Sequence, residues 1–207
     1  MKIAIQALHE QIRSVLNDQE QHEAWSRWLL SRSRSLHHSV LLPEGYRAST
    51  LINFTRSYLM RLPEMLTHAQ TTATRLDLLP CLTLLDITVD YLGSPATRML
   101  HEGGLLYDWL VRAYVSHRLL EEMQDWTVSM SGENLIPMDN TRANLLTHEL
   151  LGNDFCASLE ENIQTLSGVL HLHESHVLHQ RRSQYHQPPC MLAGAMATLW
   201  LQEPAMA

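Results

Sequence analysis

The chain is predicted to be all-α, a bundle of seven or eight helices in which most sequential neighbours are antiparallel. Gly and Pro number only 8 each in 207 residues, too few for a loop-rich or all-β protein. Apolar residues recur at helical spacing almost throughout. No segment shows a convincing strand alternation. The best β candidate, Thr83-Leu-Leu-Asp-Ile-Thr-Val, carries an i, i+3, i+7 stripe that favours helix instead.

Ile5, Leu8, Ile12 and Val15 define a first amphipathic helix. Asp18 is placed to cap a second, with Trp25, Trp28 and Leu29 facing inward. Residues 37–46, with Pro43-Glu-Gly45, read as a loop. Ser49 or Thr50 starts a helix carrying Ile52, Tyr58 and Leu59, which Pro63 ends or kinks, with Pro63 able to open a short successor. Pro80 opens a helix with the stripe Leu82, Leu85, Val89 and Leu92, closed by Gly93 and followed by Pro95. A short helical turn from Ser94-Pro95 ends at Gly103-Gly104, and a long helix runs from Leu105 to Met130. Residues 131–137 are the clearest break. Asp139 or Asn140 caps the next helix, which stops at Gly152, and Asp154 caps a last one from Phe155 to about Gln184. The organisation expected is one helical domain over 1–187, with a soft division near 131–138, and a Pro-led apolar tail over 188–207.

The formal net charge of −7 excludes a broad electrostatic footprint for nucleic acid. The basic groups Arg27/Arg32/Arg34 and Arg181-Arg182 are small and read as solvated helix faces. Cys81, Cys156 and Cys190 lie far apart with no CxxC, which argues against a disulfide framework and a cysteine zinc site. The N-terminus has no apolar h-region. The longest apolar tract, Cys190 to Leu201, is shorter than the roughly 20 residues that span a bilayer. No transmembrane segment is expected, and a cytoplasmic location is the simplest.

The outlier is histidine, with 13 residues, five of them followed by Glu. The most informative stretch is Tyr114 to Asp125, where His117, Glu121 and Asp125 stand four residues apart on the long helix. A helical wheel puts Leu106, Trp109, Leu110, Ala113, Leu120 and Thr127 on one stripe. His117, Ser116 and Gln124 fall inside it, Glu121 at its edge and Asp125 toward solvent. His117 and Gln124 are therefore expected to be buried polar groups with partners, and Glu121 is within reach of His117. The helix after residue 140 is apolar on two sides, with Ala143, Leu146 and Leu150 on one and Leu145 and Leu151 flanking Asn144 and His148 on the other. In the last helix His173 falls on the stripe of Phe155, Leu159, Leu166, Leu170 and Val177.

Two functions follow. The default is a helical binding, regulatory or adaptor protein acting through protein or small-ligand contacts, with a protein partner or a second copy of itself. Its basis is the absence of catalytic motifs, together with 10 Met, a Trp-rich second helix and the apolar tail. The alternative is a metal-dependent enzyme whose cofactor is a divalent transition metal. Non-haem iron, manganese or zinc would be held in the bundle core by His117, Glu121, His148 and His173, with Glu102 and Glu149 as further carboxylates. Against it, the chain lacks Glu-x-x-His, His-Glu-x-x-His and His-Asp, and it also lacks Gly-x-Ser-x-Gly and a phosphate-binding GxxxxGK[ST] loop. His148-Glu-Leu-Leu-Gly152 resembles the His-x-Leu-Lys-Gly motif of histidine phosphotransfer domains, over five residues and without its lysine.

Overall fold

A computed structural model describes residues 2–36, 47–94 and 103–180, with the side chains of the last helix described as far as Leu170. The regular structure of these residues is helical: α1 (Lys2–Leu16), α2 (Gln19–Ser35), α3 (Arg47–Arg75), α4 (Leu79–Gly93), α5 (Gly104–Ser131), α6 (Thr141–Leu151) and α7 (Asn153–Gln180). The expected loop at 37–46, the short turn after Pro95 and the tail lie outside the described residues.

The first two helices form as expected. Ile5, Leu8 and Ile12 of α1 are buried, and the Asp18 carboxylate accepts from the N–H groups of Glu20 and Gln21 at the start of α2. Trp25 and Trp28 stack at 4.6 Å between ring centroids, and Tyr107 meets Trp28 edge-on.

Pro63 neither ends α3 nor opens a successor; it lies inside one 29-residue helix. The proline removes a single intrahelical hydrogen bond, at the Leu59 carbonyl. Leu59, Leu62, Met65, Leu66, Ala69 and Ala73 are buried on both sides of it, and that burial outweighs the loss.

The long helix α5 is the axis of the fold. It packs against α1, α2, α3, α4, α6 and α7, and every residue from Leu106 to Ser116 is buried. The single stripe of the wheel was therefore too narrow. Charged positions outside the stripe are enclosed as well, because they find partners. Asp108 and Arg112 pair at 2.8 Å. Arg112 also donates to the carbonyls of Tyr91, Leu92 and Ser94, satisfying the open C-terminus of α4. Arg32 does the same for α6, donating to the carbonyls of Leu150 and Glu149. At the other end of α5, Gln21 accepts from the Leu105 N–H at 2.8 Å. Gly104 there has φ +64, and a Cβ on it would lie 2.7 Å from the Gln21 oxygen, so glycine is required.

The short helix α6 is not apolar on two sides. Its buried face is Asn144, Thr147, Leu150 and Leu151, whereas Leu145 is 61% exposed. Asp139 rather than Asn140 caps it, accepting from the Thr141 N–H at 2.8 Å. The Asn140 side chain makes no capping bond and turns inward.

Candidate functional site

Residues 132–140 form a strap without regular structure between α5 and α6. Gln124 of α5 fastens its middle. The Gln124 Oε1 accepts from the N–H groups of Leu135 and Ile136 at 2.6 and 2.9 Å, and Nε2 donates to Asn134. This is the partner that the position of Gln124 on the wheel required. The strap's own Leu135 and Ile136 side chains are buried.

His117 fastens the strap's C-terminal end. It is fully buried, with its ring 4.2 Å from that of Tyr58. Nε2 lies 3.1 Å from the Tyr58 carbonyl, which only accepts, so Nε2 carries the proton and donates. Nδ1 is then the acceptor for Asn140 Nδ2, at 3.0 Å. The same amide nitrogen lies 2.8 Å from the Met65 sulfur. Burial pulls the His117 pKa down to about 4, the positive charge of Arg61 acts in the same direction, and the bond to Tyr58 only partly offsets them. The ring is neutral at neutral pH. It does not meet Glu121.

Glu121 belongs to a different constellation, centred on Arg118. The guanidinium donates to Glu121, to Glu122 at 3.2 Å and to both oxygens of Glu160 on α7, at 3.0 and 3.1 Å. The Tyr114 hydroxyl donates to Glu160 at 2.6 Å. Burial works against the charge on Arg118, and the hydrogen bonds to Glu160 and Glu121 overcome it and raise its pKa. Burial likewise opposes ionisation of Glu160, but the bonds from Arg118 and Tyr114 outweigh it and hold that carboxyl below its ordinary range. The second oxygen of Glu121 is buried without a hydrogen-bond partner.

Between this cluster and the strap lies a groove of about 520 Å³. Arg118, Glu121, Gln124 and Asp125 form one wall, and Asn134 with residues 136–141 the other. Its charged lining is Glu121, Asp125 and Asp139 against the single Arg118. Negative charge prevails there, and more so because Glu122 and Glu160 share the same arginine.

His148 of α6 stacks on Tyr114 at 6.2 Å between centroids. The Glu149 carbonyl accepts from Arg32. Glu102 and the His173 side chain lie outside the described residues. Both His117 nitrogens are taken up by protein groups and one Glu121 oxygen by Arg118. Among the described residues no group of three or more His, Cys, Asp and Glu side chains is placed to hold a metal ion. Nor is Cys156 a nucleophile: burial pushes its thiol up to about 12.

Comparison with known protein families, with curated proteins and with solved structures finds no match. Among the described residues, no helix is long and apolar enough to cross a membrane. Sequence reasoning missed Arg118 and Glu160. The run Arg118-Leu-Leu-Glu121-Glu122 carries the local half of the cluster at i, i+3 and i, i+4 spacing. The half from α7 has no local signal.

Proposed function

We propose that this chain is a helical binding protein of the regulatory or adaptor kind, and that its ligand site is the groove under the strap. The observation supporting this is the unequal charge pairing at Arg118. One guanidinium is shared by Glu121, Glu122 and Glu160, and Glu121 keeps a buried oxygen with no donor. Carboxylate in excess of its counter-charge beside an open groove is costly, and a cationic ligand bound in the groove offsets that cost through the shared charge rather than by reaching the buried oxygen. Asp125 and Asp139 add negative charge at the groove walls. The chemistry that fits is an alkylammonium or guanidinium group, on a small amine or on a basic side chain of a protein partner.

Thermal unfolding in the presence of putrescine, spermidine and a short Lys/Arg peptide tests this. A ligand at about 100 times its Kd adds about 2.7 kcal/mol of stability. At least one of these probes is expected to raise the Tm of the wild type and to lose that effect in Glu121→Gln/Asp125→Asn. No shift with any probe, or equal shifts in the variant, would reject the groove as a cation site.

A further inference from the structure

His117 is a buried titratable group to which groove chemistry assigns no role, yet it holds one end of the strap. Its two nitrogens have fixed and different duties: Nε2 donates to the Tyr58 carbonyl, and Nδ1 accepts from Asn140. We infer that His117 is an acid-sensitive latch, and that a proton on Nδ1 expels the Asn140 side chain and loosens residues 138–139 ahead of it, opening the groove from its C-terminal end. The Asn140 carbonyl stays in the first turn of α6, accepting from the Asn144 N–H at 2.8 Å. The latch does not depend on the groove having a ligand.

The donor and acceptor pattern allows no local repair. A protonated Nδ1 becomes a donor and faces the Asn140 amide, which is also a donor. Rotating that amide would offer Oδ1 to the imidazolium, but it would also bring Oδ1 to within about 3 Å of the Met65 sulfur, a weak acceptor, where Nδ2 now sits. The Tyr58 carbonyl already accepts from Nε2 and offers Nδ1 no acceptor. The surroundings do not compensate the new charge. From α3, Tyr58 presents its ring and carbonyl, and Arg61 contributes a charge of the same sign. From the strap, Asn140 is uncharged, and the ionised Asp139 carboxylate is exposed to solvent, where it accepts from Thr141. On α5 itself, Glu121 gives one oxygen to Arg118; the other is buried without a donor and is not hydrogen-bonded to His117, whose two nitrogens are held by Tyr58 and Asn140. From α6, Asn144 accepts from the Tyr58 hydroxyl at 2.6 Å and is neutral. Release toward water is the way left for the proton to be accommodated. The middle of the strap stays pinned by Gln124, whose amide does not titrate, so the opening is confined to one end.

A pH titration followed by two-dimensional NMR tests this on the wild-type protein. The backbone signals of residues 138–140 and the Asn140 side-chain amide should shift together with the His117 ring. The expected midpoint lies between the ring's buried value of about 4 and its ordinary 6.5, with signals of the α5 core unchanged. His117→Gln offers a neutral donor and acceptor in similar positions and should remove the transition. Asn140→Ala should show the released pattern already at pH 7, which covers the case in which His117→Gln fails to fold. The latch is rejected if the strap signals stay fixed while His117 titrates, if they shift equally in His117→Gln, or if the whole chain unfolds in one step with the strap.

Discussion

Two arginines on the central helix meet opposite conditions. Arg112 is almost fully enclosed, lies beside Asp108 and donates to three carbonyls at the end of α4. Arg118 keeps 24% of its side chain exposed, is shared by three carboxylates and borders a groove. The first has partners that are backbone atoms of a packed helix, and a ligand cannot replace them. Both border open volume, of about 310 Å³ at Arg112 and about 520 Å³ at Arg118, but only the second has more carboxylate around it than it can neutralise. Burial of charge alone therefore does not mark a site. The difference between the two lies in charge balance, and the surplus of carboxylate at Arg118 is what the proposed cation site rests on.

The largest expected effect breaks the enclosed region. Arg112→Met should lower stability in urea by about 3–5 kcal/mol, since it strands Asp108 and uncovers three helix-end carbonyls. Burial raises the Asp108 carboxyl despite Arg112, so Asp108→Asn in the same chain should recover part of that loss. The same change at Arg118 should cost less, about 1–2 kcal/mol, because two of its three carboxylates, Glu122 and Glu160, remain partly hydrated. Equal losses at the two positions would erase the distinction.

The next effect is on pH. His117 has a pKa near 4 in the folded chain against 6.5 ordinarily, so between those values the unfolded chain binds a proton that the folded chain refuses. Its contribution is complete above pH 6.5 and is lost as pH falls toward 4, by at most about 3 kcal/mol. Unfolding free energies measured from pH 7 to 4 should show this slope, and His117→Gln should flatten it. A slope of opposite sign would mean that His117 is stabilised as the cation.

Gln124→Ala should follow, at about 1–3 kcal/mol, because two backbone N–H groups of the strap lose their acceptor. Hydrogen exchange at Leu135 and Ile136 should accelerate while α3 and α4 stay protected. The smallest effect is at a third arginine. Arg75 ties Glu133 to α3 across exposed surface, and Arg75→Ala should leave the urea midpoint unchanged within error.

Much of the architecture was legible in the residues. Asp18 as a cap, the Pro80 opening and the break after Ser131 follow from local chemistry that tertiary contacts do not override. Pro63 was misleading, because the loss of one hydrogen bond was weighed without the burial on both sides. The wheel placed His117 and Asp125 at the right depths, whereas Gln124, expected to be buried, is half-buried, and the wheel could not name their partners. Tyr58, Met65 and Asn140 come from distant positions, and nothing local to α5 encodes them. Leu145 shows the reverse failure: an apolar residue on a short helix was assigned a face that the bundle does not cover.

The most direct test of the contrast between the two arginines is a chemical-shift map of the wild-type chain titrated with spermidine at pH 7. Binding in the groove predicts saturable shifts confined to Glu121, Asp125 and residues 134–141, with none at Asp108 or Arg112. Shifts scattered over acidic residues of the whole surface, or none at the groove, would contradict it.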